Sequence, residues 1–130
     1  MLFFGHRFIS NEVFYHISSI DDITHTPPSS TLYLAFSEKN LDIISHATLN
    51  NVKIALLVED ITQLMYASSL GASYIIVDKT LAKTAQNIAQ EYLFDAKILV
   101  HIFHDEEIEE LALLGVDGVI YANAIIKITS

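Results

Sequence analysis

Residues Val52–Asp78 align without a gap on residues Ala96–Ala122, a shift of 44 positions. Lys53-Ile54 falls on Lys97-Ile98, Leu64 on Ile108, and Leu70-Gly71-Ala72 on Leu114-Gly115-Val116. The apolar runs Tyr74–Val77 and Gly118–Tyr121 then coincide. Half of that 44-residue shift, 22 residues, holds one strand, one helix and very short connections. A repeated strand-helix unit this tight leaves few solutions. Successive strands run parallel and are joined by right-handed crossovers, which makes the chain α/β. Short-looped units of this kind suit a barrel wall or a small doubly wound sheet.

Apolar runs at Thr31–Phe36, Lys53–Val58, Tyr74–Val77, Lys97–Ile102 and Gly118–Tyr121 read as strands. They are near-continuous rather than alternating, as buried parallel strands are. Helical spacing lies between them: Leu41, Ile44 and Leu49; Ile61, Leu64, Met65 and Ser68; Leu81, Ala85, Ile88, Ala89 and Tyr92; Ile108, Leu111, Ala112 and Leu114. Asn50-Asn51, Gly71 and Gly115 stand where helix ends need a left-handed residue. The first thirty residues depart from the repeat. Leu2–Ile9 reads as a further strand, and Thr24–Ser30 reads as a loop. Asn11-Glu12 either turns the chain into Val13–Ile17 or starts a short helix. The expectation is a mainly parallel sheet of five or six strands. It is either a partial barrel like part of a TIM barrel, or an open flavodoxin-like sheet with helices on both faces.

The length of 130 residues, 52% of them hydrophobic, predicts a single domain over residues 1–130 with a real core. The absence of cysteine excludes disulfides and thiolate chemistry. Sixteen acidic residues against seven basic ones give a net charge of -9. Nucleic acid and anionic membrane surfaces are therefore not expected partners. The start, Met1-Leu-Phe-Phe-Gly-His-Arg7, lacks a basic region ahead of its apolar run, and no apolar stretch is long enough to span a bilayer. A soluble cytoplasmic protein is expected.

Parallel α/β sheets bind ligands at the carboxyl ends of their strands. Those ends carry Ser37-Glu38-Lys39, Glu59-Asp60, Asp78-Lys79, His101-Ile-Phe-His104-Asp105 and Tyr121-Ala-Asn123. Glu59 and Asp78 are candidate ligands for a divalent metal such as Mg²⁺, which prefers oxygen. His101 is a candidate acid or base, and with His104 it forms a short H-x-x-H. The competing reading is structural. Glu38, Asp60, Asp78 and Asp105 all stand at helix starts, where carboxylates cap N–H groups. His6-Arg7 closes the first apolar run, and such a pair can hold a phosphate. No phosphate loop, dinucleotide fingerprint, nucleophile elbow or H-E-x-x-H occurs.

The stretch Asp105–Tyr121, an acidic helix followed by Leu-Leu-Gly-Val-Asp-Gly-Val-Ile-Tyr, resembles the last βα units of glycerophosphodiester phosphodiesterase-like TIM barrels. The His6-Arg7 pair resembles the His-Arg dipeptide of that family's first strand. The resemblance implies a barrel, a divalent metal, and His6 and Arg7 in catalysis or phosphate binding.

Two functions of different class follow. The first is a non-catalytic interaction or regulatory module that self-associates as a homo-oligomer, because the barrel-like array carries no complete catalytic signature. The second is a metal-assisted phosphoester hydrolase, or a binder of a small phosphorylated ligand, using His6, Arg7, His101, Glu59 and Asp78.

Overall fold

A computed structural model describes residues 1–128. Within them one sheet holds eight strands, all parallel. They are β1 (Leu2–Phe4), β2 (Phe14–His16), β3 (Thr31–Ala35), β4 (Ile54–Leu57), β5 (Tyr74–Val77), β6 (Lys97–His101), β7 (Gly118–Ile120) and β8 (Ile125–Lys127). Four α-helices follow β3 to β6: α1 (Leu41–Leu49), α2 (Ile61–Ser69), α3 (Ala82–Glu91) and α4 (Glu107–Leu114). The strand order is β1-β7-β6-β5-β4-β3-β2-β8.

That order requires a curled sheet. Strands β7 and β8 stand six strand spacings apart. On a flat sheet that distance is about 29 Å at roughly 4.8 Å per strand. Only residues 121–124 join them, and five Cα steps reach at most about 19 Å. The two edges must therefore bend toward each other. The order from β3 to β7 never reverses, so right-handed crossovers place all four helices on one face. This excludes the flavodoxin-like alternative, in which helices cover both faces.

Two apolar layers result. The outer one packs helix residues Ile44, Leu64, Ala85 and Leu111 against Leu32, Leu56, Ile75, Ile98 and Val119. The inner one holds Phe4, Phe14, Tyr33, Ala55, Ile76, Leu99, Ile120 and Ala124, with Tyr74 and Ile125 beside them. Phe4, Phe14 and Tyr74 fill the concave side with ring centroids 5.0–5.4 Å apart. Phe4 and Phe14 are fully buried, and burying such a side chain stabilises by about 1.5–3 kcal/mol.

The seam between the edges is held by side chains. Asn11 Nδ2 donates to the Phe3 carbonyl of β1 at 3.0 Å, and Asn123 Nδ2 donates to the Gly5 carbonyl at 2.9 Å. Gly5 lies at φ +88°, and a Cβ there would meet Asn123 Oδ1 at 2.6 Å. Glycine is required on both counts. At the amino end, Glu12 accepts from Thr31 Oγ1 at 2.8 Å and from the Tyr74 hydroxyl at 3.3 Å, with Lys53 Nζ 3.8 Å away.

The expected count of five or six strands is too low. β2 realises one alternative for the Asn11-Glu12 region, and β8 lay outside every expected run. Both have three residues, too few for a period to register. The first strand ends at Phe4 rather than Ile9, because Gly5 turns the chain in the left-handed region. Asp21–His25 forms a 3₁₀ turn overlapping the expected loop. Asn51, Gly71 and Gly115 take the expected positive φ. No helix among the described residues is long and apolar enough to cross a membrane.

Candidate functional site

Three strand ends bring His6, Arg7, Asp105 and Tyr121 together. His6 and Arg7 follow β1, Asp105 follows β6, and Tyr121 follows β7. These strands are neighbours in the order β1-β7-β6, so the repeat and the parallel topology build the cluster without any local motif. Asp105 is its hub. Arg7 donates to Asp105 Oδ2 at 2.9 Å, the Tyr121 hydroxyl donates to Oδ1, and His6 Nε2 lies 3.5 Å from Oδ1.

The His6 side chain is only 7% exposed. Its Nδ1 accepts the Phe8 N–H at 3.1 Å. The other ring nitrogen, Nε2, is the one that faces Asp105. Three rings pack about the imidazole: Phe8 at 4.8 Å, Tyr121 at 5.7 Å and Phe3 at 6.0 Å between centroids. The Arg7 guanidinium lies 4.4 Å from the centre of the Phe8 ring.

The Tyr121 hydroxyl and then Arg7 hold the Asp105 carboxyl below its ordinary range. In return, burial and then the bond to Asp105 push Tyr121 up to about 12. The pair fixes an ionised carboxylate and a neutral phenol at neutral pH. Every strong donor around Asp105 is thereby engaged, and the cluster ties three strand ends together.

His101 ends β6 and shares the inner face with Leu99. Burial lowers its pKa, with Glu107 opposing. Its Nε2 is buried with no partner among the described residues, and its ring stacks on Phe103 at 4.9 Å. His104 is exposed, and its N–H goes to Glu107.

The carboxylates divide between two fates. Asp60 caps α2 by accepting the Gln63 N–H at 2.8 Å. Asp78 accepts the Leu81 N–H at 3.1 Å and the Thr80 hydroxyl. Both follow the structural reading. Asp105 does not cap α4. No side chain caps α4; Glu107, its first residue, instead holds the preceding loop by accepting the N–H groups of Phe103 and His104 at 2.8 and 3.0 Å. Those two bonds hold the Glu107 carboxyl below its ordinary range. Glu38 lies within its 3₁₀ turn and caps nothing. Glu59 is exposed after β4, where its N–H donates to Gln63 Oε1 at 2.9 Å. Among the described residues no three His, Cys, Asp or Glu side chains are placed to share a metal ion.

Of the five candidates, His6 and Arg7 enter one cluster. His101, Glu59 and Asp78 make no side-chain hydrogen bond or ion pair with it. Tyr121 was legible only as a strand-end residue, and Asp105 only as a cap; their pairing depends on which strands are neighbours. A cleft of about 500 Å³ lies at the opposite, amino end, between Ile23–Ser30 and Asn50–Lys53, and none of the candidate residues lines it.

No protein-family model matches the chain, and no curated protein matches it in sequence.

Proposed function

We propose that this chain is a non-catalytic interaction module that self-associates through the part of the sheet no helix covers. The observation that carries this reading is an uneven cover. All four helices follow β3 to β6, and none follows β1, β2 or β8. Parallel strands are ordinarily covered on both faces. Here Ile126 on β8 is 42% exposed, and Phe8 beyond β1 is 76% exposed. Leu2 and Ile9 are exposed in the same arc.

A second copy of this chain fits the arc electrostatically. The sequence carries sixteen acidic residues, yet residues 1–11 and 118–128 contain none. Two copies can meet there without opposing carboxylates, in an isologous contact. The His6–Asp105 cluster supports the same reading, because it fixes the shape of that surface. The hydrolase alternative draws on His6 and Arg7 following β1. Against it stands the commitment of Arg7 to Asp105 and of Asp78 to a helix start.

Sedimentation velocity over a range of concentrations tests the proposal. The wild-type chain is expected to associate, and Ile126→Asp and Phe8→Asp to sediment as monomers. Both side chains are exposed, so neither change should unfold the chain. A wild-type protein that stays monomeric throughout overturns the proposal, as does association unchanged in both variants.

A further inference from the structure

At the carboxyl end of the helix-free arc, three adjacent strands carry polar side chains on the inner face at one register. Lys127 of β8 stands opposite His16 of β2, and His16 stands opposite Tyr33 of β3. Ile125, Phe14 and Tyr33 belong to the inner layer. The two-residue period of a strand puts Lys127 and His16 on the same face as Ile125 and Phe14. The His16 ring meets the Tyr33 ring edge-on, 5.1 Å between centroids.

The polar capacity of this group is unused. Tyr33 is 9% exposed, and its hydroxyl takes no part in the side-chain hydrogen bonds of the described residues. Arg7, Lys53 and Lys79 are each paired with a carboxylate, but Lys127 has no ion pair among the described residues. Burial and then the Lys127 charge hold His16 below its ordinary range. A buried polar atom without a partner asks for one.

We propose that Lys127, His16 and Tyr33 form a binding site for a small oxyanion, a phosphate or a carboxylate. Lys127 supplies the charge, and the Tyr33 hydroxyl and the imidazole supply directed hydrogen bonds. The net charge of -9 turns away extended polyanions, which selects a small ligand. The site does not depend on self-association, and it shares no residue with the His6–Asp105 cluster.

The test follows the ring protons of the six histidines by NMR during titration of the full chain. Inorganic phosphate is the probe in one arm and acetate in the other, at constant ionic strength. The His16 signal, assigned with His16→Gln, is expected to shift to saturation. Lys127→Met is expected to weaken that binding about tenfold, the loss of one charge-assisted contact. Arg7→Met, which removes a cation from the other cluster, should leave it unchanged. Tyr33→Phe should weaken it by a smaller factor. Saturation by phosphate alone narrows the ligand to phosphates; saturation by acetate alone narrows it to carboxylates. A His16 signal that fails to saturate with either anion overturns the site. So does binding that Lys127→Met leaves unchanged.

Discussion

Two arcs of one sheet behave differently. From β3 to β7, four helices back the strands, and the repeat sets every loop. From β2 through β8 to β1, strands of three residues follow irregular segments, and only side chains seal the seam. The covered arc owes its shape to burial. Ile75, Ile76, Ile98 and Leu99 are fully buried, and α3 is clamped to the strand ends by Gln86. Gln86 Oε1 accepts the Asp117 N–H at 2.9 Å, and Asp117 Oδ2 accepts the Ile98 N–H at 2.9 Å. The helix-free arc owes its shape to specific contacts: Asn11 and Asn123 on backbone carbonyls, and Asp105 on Arg7 and Tyr121. One arc is a scaffold, and the other keeps apolar and polar surface open.

The sharpest way to break this comparison is a matched pair of truncations. Ile76→Ala should cost about 2–5 kcal/mol in denaturant unfolding, because Ile76 is fully buried in the inner layer. Ile126→Ala, in the exposed position, should stay within about 0.5 kcal/mol for the monomer. Equal losses would contradict the division into two arcs. Next in size, Gln86→Ala leaves the Asp117 N–H without its partner and should cost about 1–3 kcal/mol.

The pH dependence should locate the carboxyl mouth. His101 and His16 both have lowered pKa values, chiefly through burial. A depressed group contributes stability above its unfolded value of 6.5, and loses it as pH falls toward the folded value. Thermal stability should therefore fall as pH drops below about 6.5, and His101→Gln should flatten that slope. Arg7→Ala gives the smallest effect. Its side chain is 66% exposed, and exposed ion pairs contribute about 0–1 kcal/mol. A loss several times larger would show that the Asp105 hub stabilises more than the seam.

The covered arc was legible in the sequence. The 44-residue shift, the apolar runs and the helical spacings located β3 to β7 and α1 to α4. Their signal is strong because burial on both faces forces runs of Ile, Leu and Val. The helix-free arc was largely illegible. β8 shows only Ile125-Ile126-Lys127, and nothing local says that it pairs with β2 rather than with β7. The same holds for the cluster. His6 and Arg7 were visible as a pair, but the partnership with Asp105 spans 98 positions and depends on strand order. Asp60 caps α2 as its place before the helix suggested, because capping is local, whereas Glu38 and Asp105 stand at helix starts without capping them. Glu12 escaped notice as a half-buried acceptor, because its partners Thr31 and Tyr74 come from two later strands.

Hydrogen exchange at two protein concentrations tests the central claim most directly, because it reads both arcs at once. The account predicts that protection of residues 2–4, 14–16 and 125–127 rises with concentration. Protection of Ile54–Leu57, Tyr74–Val77 and Lys97–His101 should stay high and constant. Protection that is independent of concentration in the helix-free arc would contradict the account, as would a concentration effect confined to the four helices.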